Sequence, residues 1–389
     1  MSAKKKELSL YIHIPFCKRK CYYCDFCSFT EGDRSIEERY VLRICEELKK
    51  SAARALGYCV STVYFGGGTP SLLDAPMIAK MLDTVRSNFE ISPDAEITLE
   101  CNPATAREGF FEDIRAAGVN RLSIGLQSAD DRELCALGRL HNFAEFEKTY
   151  YDARRAGFDN ISVDLMYGIP DQTLESFRAS LEKAAALSPE HISSYLLKIE
   201  DGTVFAKRES TLSLCDEDTQ FEMYSLMTNF LAQKGYYKYE VSNFAKPGFE
   251  SRHNVGYWTG REYIGFGVAA YSFFGGERFG NSRDLKAFLA GKDITDERER
   301  ISETDAAFEF VMLGMRMGKG IDLAEYKERF GRSFDADFVS AGNFEAMGLL
   351  SRRDGRLAFT DKGFFVSNTV LSDFLEDFSK AVDKRDDLL

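Results

Sequence analysis

Six short apolar runs, each followed by a stretch with helical spacing, set the narrowest limit on what this chain can fold into. The runs are Leu8–Ile14, Thr62–Phe65, Glu96–Glu100, Arg121–Gly125, Ile161–Leu165 and Ile192–Leu196. Between them Ile36–Leu56, Pro76–Phe89, Phe110–Ala117, Phe143–Ala156 and Leu174–Leu187 carry the helix pattern. Strand and helix in succession imply a parallel sheet, because parallel neighbours need a crossover. Right-handed crossovers curl such a sheet into a partial or complete (β/α) barrel, so the expected class is α/β. After Leu196 the rhythm changes. Asp216–Lys234 reads as a long helix, Tyr236–Ser242 as a strand, and Asn243–Gly280 is rich in Gly and aromatics without a clear period. From about Ser302 the chain is helix-rich, with Glu309–Met317, Leu323–Phe330 and Asp335–Met347 helical and Arg356–Thr360 a short strand. That end has the look of a winged-helix domain. The expected division is 1–235 for the barrel, 236–300 for an extension and 301–389 for a C-terminal domain.

Of the 389 residues 44% are hydrophobic, enough for a substantial core, and the 32 Phe read first as core filling. A net charge of −12 argues against broad nucleic-acid binding, which needs a basic face. The run Lys4-Lys5-Lys6 reads as a solvated terminus. No stretch approaches the roughly 18 apolar residues of a membrane span. Leu8–Phe16 leads into a cysteine cluster with no small-residue cleavage site, unlike a secretion signal. Nine cysteines, an odd number, argue against a disulfide framework. The expectation is a cytoplasmic protein.

Cys17, Cys21, Cys24 and Cys27 fall within eleven residues, directly after the first strand. The first three are spaced Cys-x3-Cys-x2-Cys. Soft thiolates suit iron, and three of them on a four-iron cube leave one iron open. The competing reading is a zinc site with Cys27 as the fourth thiolate. Zinc knuckles usually set two cysteine pairs well apart, whereas these four crowd one loop, so the iron–sulfur reading is preferred. Cys27 then reads as a small apolar neighbour.

Cys-x3-Cys-x2-Cys behind a first strand resembles the radical S-adenosylmethionine (SAM) superfamily. The string Tyr11-Ile12-His13-Ile14-Pro15-Phe16-Cys17 resembles its coproporphyrinogen-dehydrogenase-like branch. Gly66-Gly67-Gly68-Thr69-Pro70-Ser71, Leu122-Ser123-Ile124-Gly125-Leu126-Gln127-Ser128 and Asp164-Leu165-Met166-Tyr167-Gly168-Ile169-Pro170 narrow the resemblance to the HemW-type haem chaperones. His253-Asn254-Val255-Gly256-Tyr257-Trp258 fits their HNxxYW signature. The likeness runs from about Leu10 to about Phe374. It implies a [4Fe–4S] cluster on Cys17, Cys21 and Cys24 whose open iron takes SAM. It also implies SAM contacts from Tyr11, Tyr23, Gly67, Gly68, Thr69, Glu100, Gln127, Arg139 and Asp164. These residues have a reading of their own. Gly66–Gly68, Glu100, Gln127 and Asp164 stand at or near strand ends, where barrel proteins place their sites. Three glycines let backbone approach a ligand closely. A carboxylate can accept from ribose hydroxyls, and an arginine can grip a carboxylate. Whether a second SAM binds is left open by the residues, and no catalytic residue is assigned.

The resemblance also implies haem as cargo, passed to an acceptor protein, with an electron donor for the cluster. Of the four histidines, 13, 141, 191 and 253, His253 is the first candidate for a haem ligand. An imidazole there serves equally as a hydrogen-bonded group in a structural turn. Tyr257 and Trp258 either flank a macrocycle or pack as core. The alternative function is an oxygen-independent coproporphyrinogen III dehydrogenase. That family usually has a fourth cysteine with one residue between it and the third, where this chain has Phe26 and carries its extra cysteine at Cys27, and a longer arm before the cluster than the 16 residues that precede Cys17. A haem-degrading or methyl-transferring relative shares the same barrel. Ser251 stands where many of the chaperones have Cys, which counts against thiol attachment of haem there.

Overall fold

The computed structural model describes residues 5–30, 33–103 and 105–386. Lys4 of the basic run lies outside them. The chain divides into two compact units. One runs through Met223 and takes in Arg261–Glu299; the other holds Tyr224–Gly260 and continues from Arg300. The segment 236–300, expected as one extension, is thus shared between the two.

The first unit follows the expected alternation. Its elements are β1 (Lys6–Ile14), α1 (Arg34–Ser51), β2 (Tyr58–Gly67), α2 (Ala75–Asn88), β3 (Ile91–Cys101), α3 (Phe110–Ala116), β4 (Arg121–Gln127), α4 (Asp131–Ala136), α5 (Phe143–Arg155), β5 (Ile161–Tyr167), α6 (Leu174–Ala186) and β6 (His191–Leu196). Each of the six strands pairs in parallel with the next. On its other edge β1 pairs in parallel with Tyr263–Phe266 rather than with β6, so the barrel is partial. Beyond it Tyr271–Phe274, Glu277–Asn281 and Thr295–Arg300 extend the sheet. The stretch after Asn243 that lacked a clear period owes its irregularity to these strands. They are only 4 to 6 residues long, too short to print a period.

The strands alternate in chemistry. Leu8, Leu10, Ile12 and Ile14 of β1, Val63 and Phe65 of β2, Leu122, Ile124 and Leu126 of β4 and Val163 and Leu165 of β5 are buried. Between them stand Tyr11 and His13, Tyr64 and Gly66, Thr98 and Glu100, Arg121, Ser123 and Gly125, and Ser162 and Asp164. Register aligns this second set across the sheet. Tyr11 lies beside Tyr64, Tyr64 beside Thr98, Thr98 beside Arg121, and Glu100 beside Ser123. Gly125 then lies beside Asp164, and Asp164 beside Ser193. Neighbours in register share a face of a parallel sheet. One face is therefore apolar and the other polar. The helices begin where their caps dictate: Asp33 accepts from Ser35 N, and Asn142–Glu145 and Thr173–Ser176 form capping boxes.

In the second unit a three-stranded antiparallel sheet, in the order Ile321–Asp322, Arg356–Phe359, Leu350–Arg353, accompanies the helices. The helix expected over Asp335–Met347 is two short ones, Phe334–Asp337 and Ala341–Ala346. Phe338 breaks it by packing against Phe334, Phe374 and Phe378, while Ser340 N donates to Asp377 Oδ2 at 2.7 Å. The strand expected over Tyr236–Ser242 shrinks to Tyr237–Lys238, paired with Asn243–Ala245.

Candidate functional site

The cysteine loop springs from the end of β1 and is pinched at its base. Cys17 N donates to Phe29 O at 2.9 Å and Phe29 N to Pro15 O at 2.6 Å, so Phe16 and Phe29 pair as a bridge. His13 ties the loop's far side to the strand. Its Nε2 donates to the Cys27 carbonyl at 2.9 Å. Burial holds the imidazole pKa down, so the ring is neutral and Nδ1 accepts from the Tyr11 hydroxyl at 3.0 Å. The glycines after β2 are sterically required. A Cβ on Gly67 would lie 2.5 Å from the His13 ring, and φ there is +113°. A Cβ on Gly68 would lie 2.7 Å from Phe16 O, and Gly68 N donates to Ile14 O at 2.8 Å.

A cavity of about 660 Å³ opens against this loop. Cys17, Cys21 and Cys24 all line it, with Tyr23, Gly67, Gly68, Thr69, Glu100, Gln127, Arg139 and Asp164. Eleven of the twelve residues singled out for the cluster and SAM thus come from six separate stretches of chain to one space; Tyr11 does not line it, and neither does His253, the haem candidate. Tyr11 acts from behind, stacked on Tyr64 with ring centroids 6.2 Å apart and bonded to His13. Cys27 is buried and does not line the cavity, which accords with its reading as an apolar neighbour.

Three thiols facing one cavity are the right chemistry for an iron–sulfur cluster. Among the described residues no three His, Cys, Asp or Glu side chains are gathered into metal-ligating geometry as they stand. Cys17 Sγ lies 3.5 Å from Thr69 Oγ1, and burial pushes the Cys24 thiol up to about 11. For a SAM-like ligand the polar sheet face supplies partners. Glu100 accepts from the Tyr64 hydroxyl at 2.9 Å and from Gly67 N at 3.1 Å. Burial nonetheless pushes its carboxyl up to about 7. Asp164 is also raised by burial, and accepts from Ser123 Oγ at 2.9 Å and Ser162 Oγ at 3.1 Å. Gln127 ends β4 with φ 71°, a left-handed conformation that a non-glycine residue keeps only under tertiary constraint. Arg139 has a buried Nε with no partner in the protein.

Sequence reasoning missed several lining residues: Tyr64, Asn102, Ser123, Tyr195, Lys198 and Glu200. Tyr64 and Ser123 were within reach, because Tyr64 stands two residues before the Gly66–Gly68 turn and Ser123 lies four residues before Gln127 in the same motif on β4. Tyr195, near the end of β6, and Lys198 and Glu200, just after it, carry no pattern.

His253 belongs to the second unit, on the helix Arg252–Trp258. Its side chain is buried, and its Nε2 lies 3.0 Å from the Tyr257 hydroxyl. As placed, the imidazole does not offer that nitrogen to an iron. Trp258 Nε1 donates to Glu240 Oε2 at 2.8 Å, and Arg316 lies over the indole at 5.7 Å. The motif is thus a packed polar cluster.

Comparison with known proteins matches residues 11–184 to the Radical SAM superfamily and residues 301–366 to the HemN C-terminal domain. The heme chaperone HemW of Escherichia coli (strain K12) is 36% identical over 377 residues, covering 96% of this chain and 99% of that protein. HemW of Bacillus subtilis (strain 168) is 34% identical over 376 residues, covering 94% and 99%. Among solved structures, coproporphyrinogen III oxidase (HemN) from Escherichia coli, a radical SAM enzyme, superposes with a TM-score of 0.83. The identity is 24%, over 95% of this chain and 90% of that one, a likeness of fold.

Proposed function

This chain belongs to the HemW family of radical SAM proteins, and from that premise we propose that it is a haem chaperone. It binds haem, carries a SAM-ligated [4Fe–4S] cluster, and passes the haem to an acceptor protein. The observation that carries the reading is identity along nearly the whole length of named heme chaperones, joined to one cavity that collects Cys17, Cys21 and Cys24. Such a cluster, when bound with SAM, supplies one electron to the sulfonium. The remaining roles fall to this chain's residues. Cys17, Cys21 and Cys24 would hold the cluster, and Arg139 would meet the carboxylate of SAM. Glu100 and Asp164 would take its hydroxyls, and the Gly67–Gly68 backbone its amino group. Tyr23, Thr69 and Gln127 would close round it, and Tyr11 would brace His13 and Tyr64 behind them. In the HNxxYW helix, His253 would reach haem iron only by exchanging its Tyr257 partner, and that exchange is part of the proposal.

The test is direct. The cluster is reconstituted anaerobically, and the protein is offered haem or, separately, coproporphyrinogen III with SAM. A haem Soret band, transfer to a haem-free acceptor and no decarboxylation support the chaperone. Conversion of coproporphyrinogen III to protoporphyrinogen would replace it with the dehydrogenase.

A further inference from the structure

We infer that Arg139 sets the redox poise of the cluster loop: its guanidinium is a fixed positive charge at Cys21 that favours the one-electron-reduced cluster, and Arg19 is the positioning residue that keeps it there. The inference rests on the cluster reading above and adds a role distinct from meeting SAM.

The guanidinium has little freedom. Nη2 donates to Gly125 O at 2.9 Å and to Asn102 Oδ1, fixing it to the ends of β4 and β3. Nη1 then points at Cys21 Sγ, 3.6 Å away. The backbone carrying Arg139 is stitched to the cysteine loop at several points. Tyr22 N donates to Leu137 O at 3.1 Å. Arg19 donates through Nε and Nη2 to Gly138 O at 3.1 and 2.6 Å, and through Nη2 to Arg139 O at 2.8 Å. Gly138 is glycine for a reason: φ is +76° and a Cβ would lie 3.0 Å from the Tyr22 ring. The turn therefore moves with the loop, and Arg139 stays beside Cys21.

An arginine keeps its proton in such a place, so the charge is permanent. One-electron reduction of a [4Fe–4S] cluster adds one negative charge spread over iron and sulfur. A hydrogen bond to a ligand sulfur and a nearby cation both stabilise that added charge, which are two of the levers that set cluster potentials. Of the other charges near the loop, Asp25 and Arg283 offset one another at 3.6 Å, while Lys20 keeps its charge and donates to Phe26 O at 3.1 Å. Arg139 is the cation aimed at a ligand sulfur.

The test is an electron-paramagnetic-resonance titration of the reconstituted full-length protein with dithionite, without SAM. For R139Q the reduced-to-oxidised ratio at a fixed potential falls about tenfold or more, equivalent to ~59 mV for a one-electron couple. R139K keeps the charge and most of the potential. R19Q leaves residue 139 unchanged, loosens the turn, and shifts the potential in the same direction by less. Iron and sulfide per chain are measured in each. A wild-type potential in R139Q at full iron content overturns the inference, as does a shift in R139K as large as in R139Q. Should R139Q fail to load, R139K and R19Q decide by the same criteria. A wild-type protein that takes up no four-iron cluster defeats the underlying reading itself, a result separate from an unshifted potential.

Discussion

Gly67→Ala is the sharpest perturbation of the site that leaves its chemistry alone. Two costs are separable. The backbone sits at φ +113°, which a residue with a Cβ occupies at a cost of about 1–3 kcal/mol. The new methyl would also lie 2.5 Å from the His13 ring, an overlap that costs about 1–3 kcal/mol to relieve. Relief means moving His13, which breaks its bond to the Cys27 carbonyl and unties one side of the cysteine loop. The total is about 2–6 kcal/mol, or roughly 4–12 °C in unfolding midpoint for a unit of this size. Gly57→Ala is the control, because φ there is +91° and a Cβ would meet nothing within 4 Å. Thermal unfolding and iron content are measured on all three proteins. G57A loses only the backbone share and loads iron normally, whereas G67A loses more stability and also iron. Equal losses for the two variants, or full iron in G67A, would refute the role given to His13.

Replacing Cys17, Cys21 or Cys24 with Ala abolishes the brown absorbance of the reconstituted protein, while Cys27→Ala spares it; a colourless C27A would make Cys27 a ligand. His253→Ala weakens haem binding, and Tyr257→Phe, which takes the Tyr257 hydroxyl away from Nε2, strengthens it in a Soret titration. If the imidazole is structural, both variants lower the melting temperature and neither changes affinity. Glu240 supplies a pH signal, because burial pushes its carboxyl up to about 7 from an ordinary 4.5. A folded value above the unfolded one means that its stabilising contribution is complete below about 4.5 and is lost as pH rises through about 7. Emission of Trp258, the one tryptophan in the chain, therefore changes between about pH 6 and 8, and E240Q removes that step. An unaltered step in E240Q would assign it to another group.

The strands and most of the cavity were legible because the signals were local. Each of the six runs lies within an observed strand, and the Cys-x3-Cys-x2-Cys loop sits where a strand must hand over to a helix. Strand limits were drawn short where polar residues interrupt, as in β3, which begins at Ile91 rather than Glu96. Those interruptions were themselves a signal: every second residue of β1, β4 and β5 faces the polar side. The second unit was harder to read, since its order comes from contacts between distant residues. Arg332 donates to Asp337 at 2.7 and 2.9 Å, and Tyr326 to the same carboxylate at 2.8 Å, a buried group that no periodicity announces. His253 could be chosen from its motif, yet its bond to Tyr257 depends on a rotamer that sequence does not specify.

A closed (β/α) barrel ordinarily fills its interior with branched apolar side chains. Here the polar sheet face carries Arg121, Glu100 and Asp164 instead, and a cavity lined by Glu100 and Asp164 stands where a packed core would be. Arg121 is fully buried at the first position of β4, with Nε lacking a partner, and its charge lowers both carboxyl groups. One cation does not offset the burial of two acids, which is why Glu100 stays near 7 and serves as readily as a donor as an acceptor. Charge is therefore muted around Glu100, while toward the thiols Arg139 stands as a cation. A ligand that carries neutral hydroxyls at one end and a carboxylate at the other has one favourable orientation in such a field. That orientation brings its charged end to the cysteines.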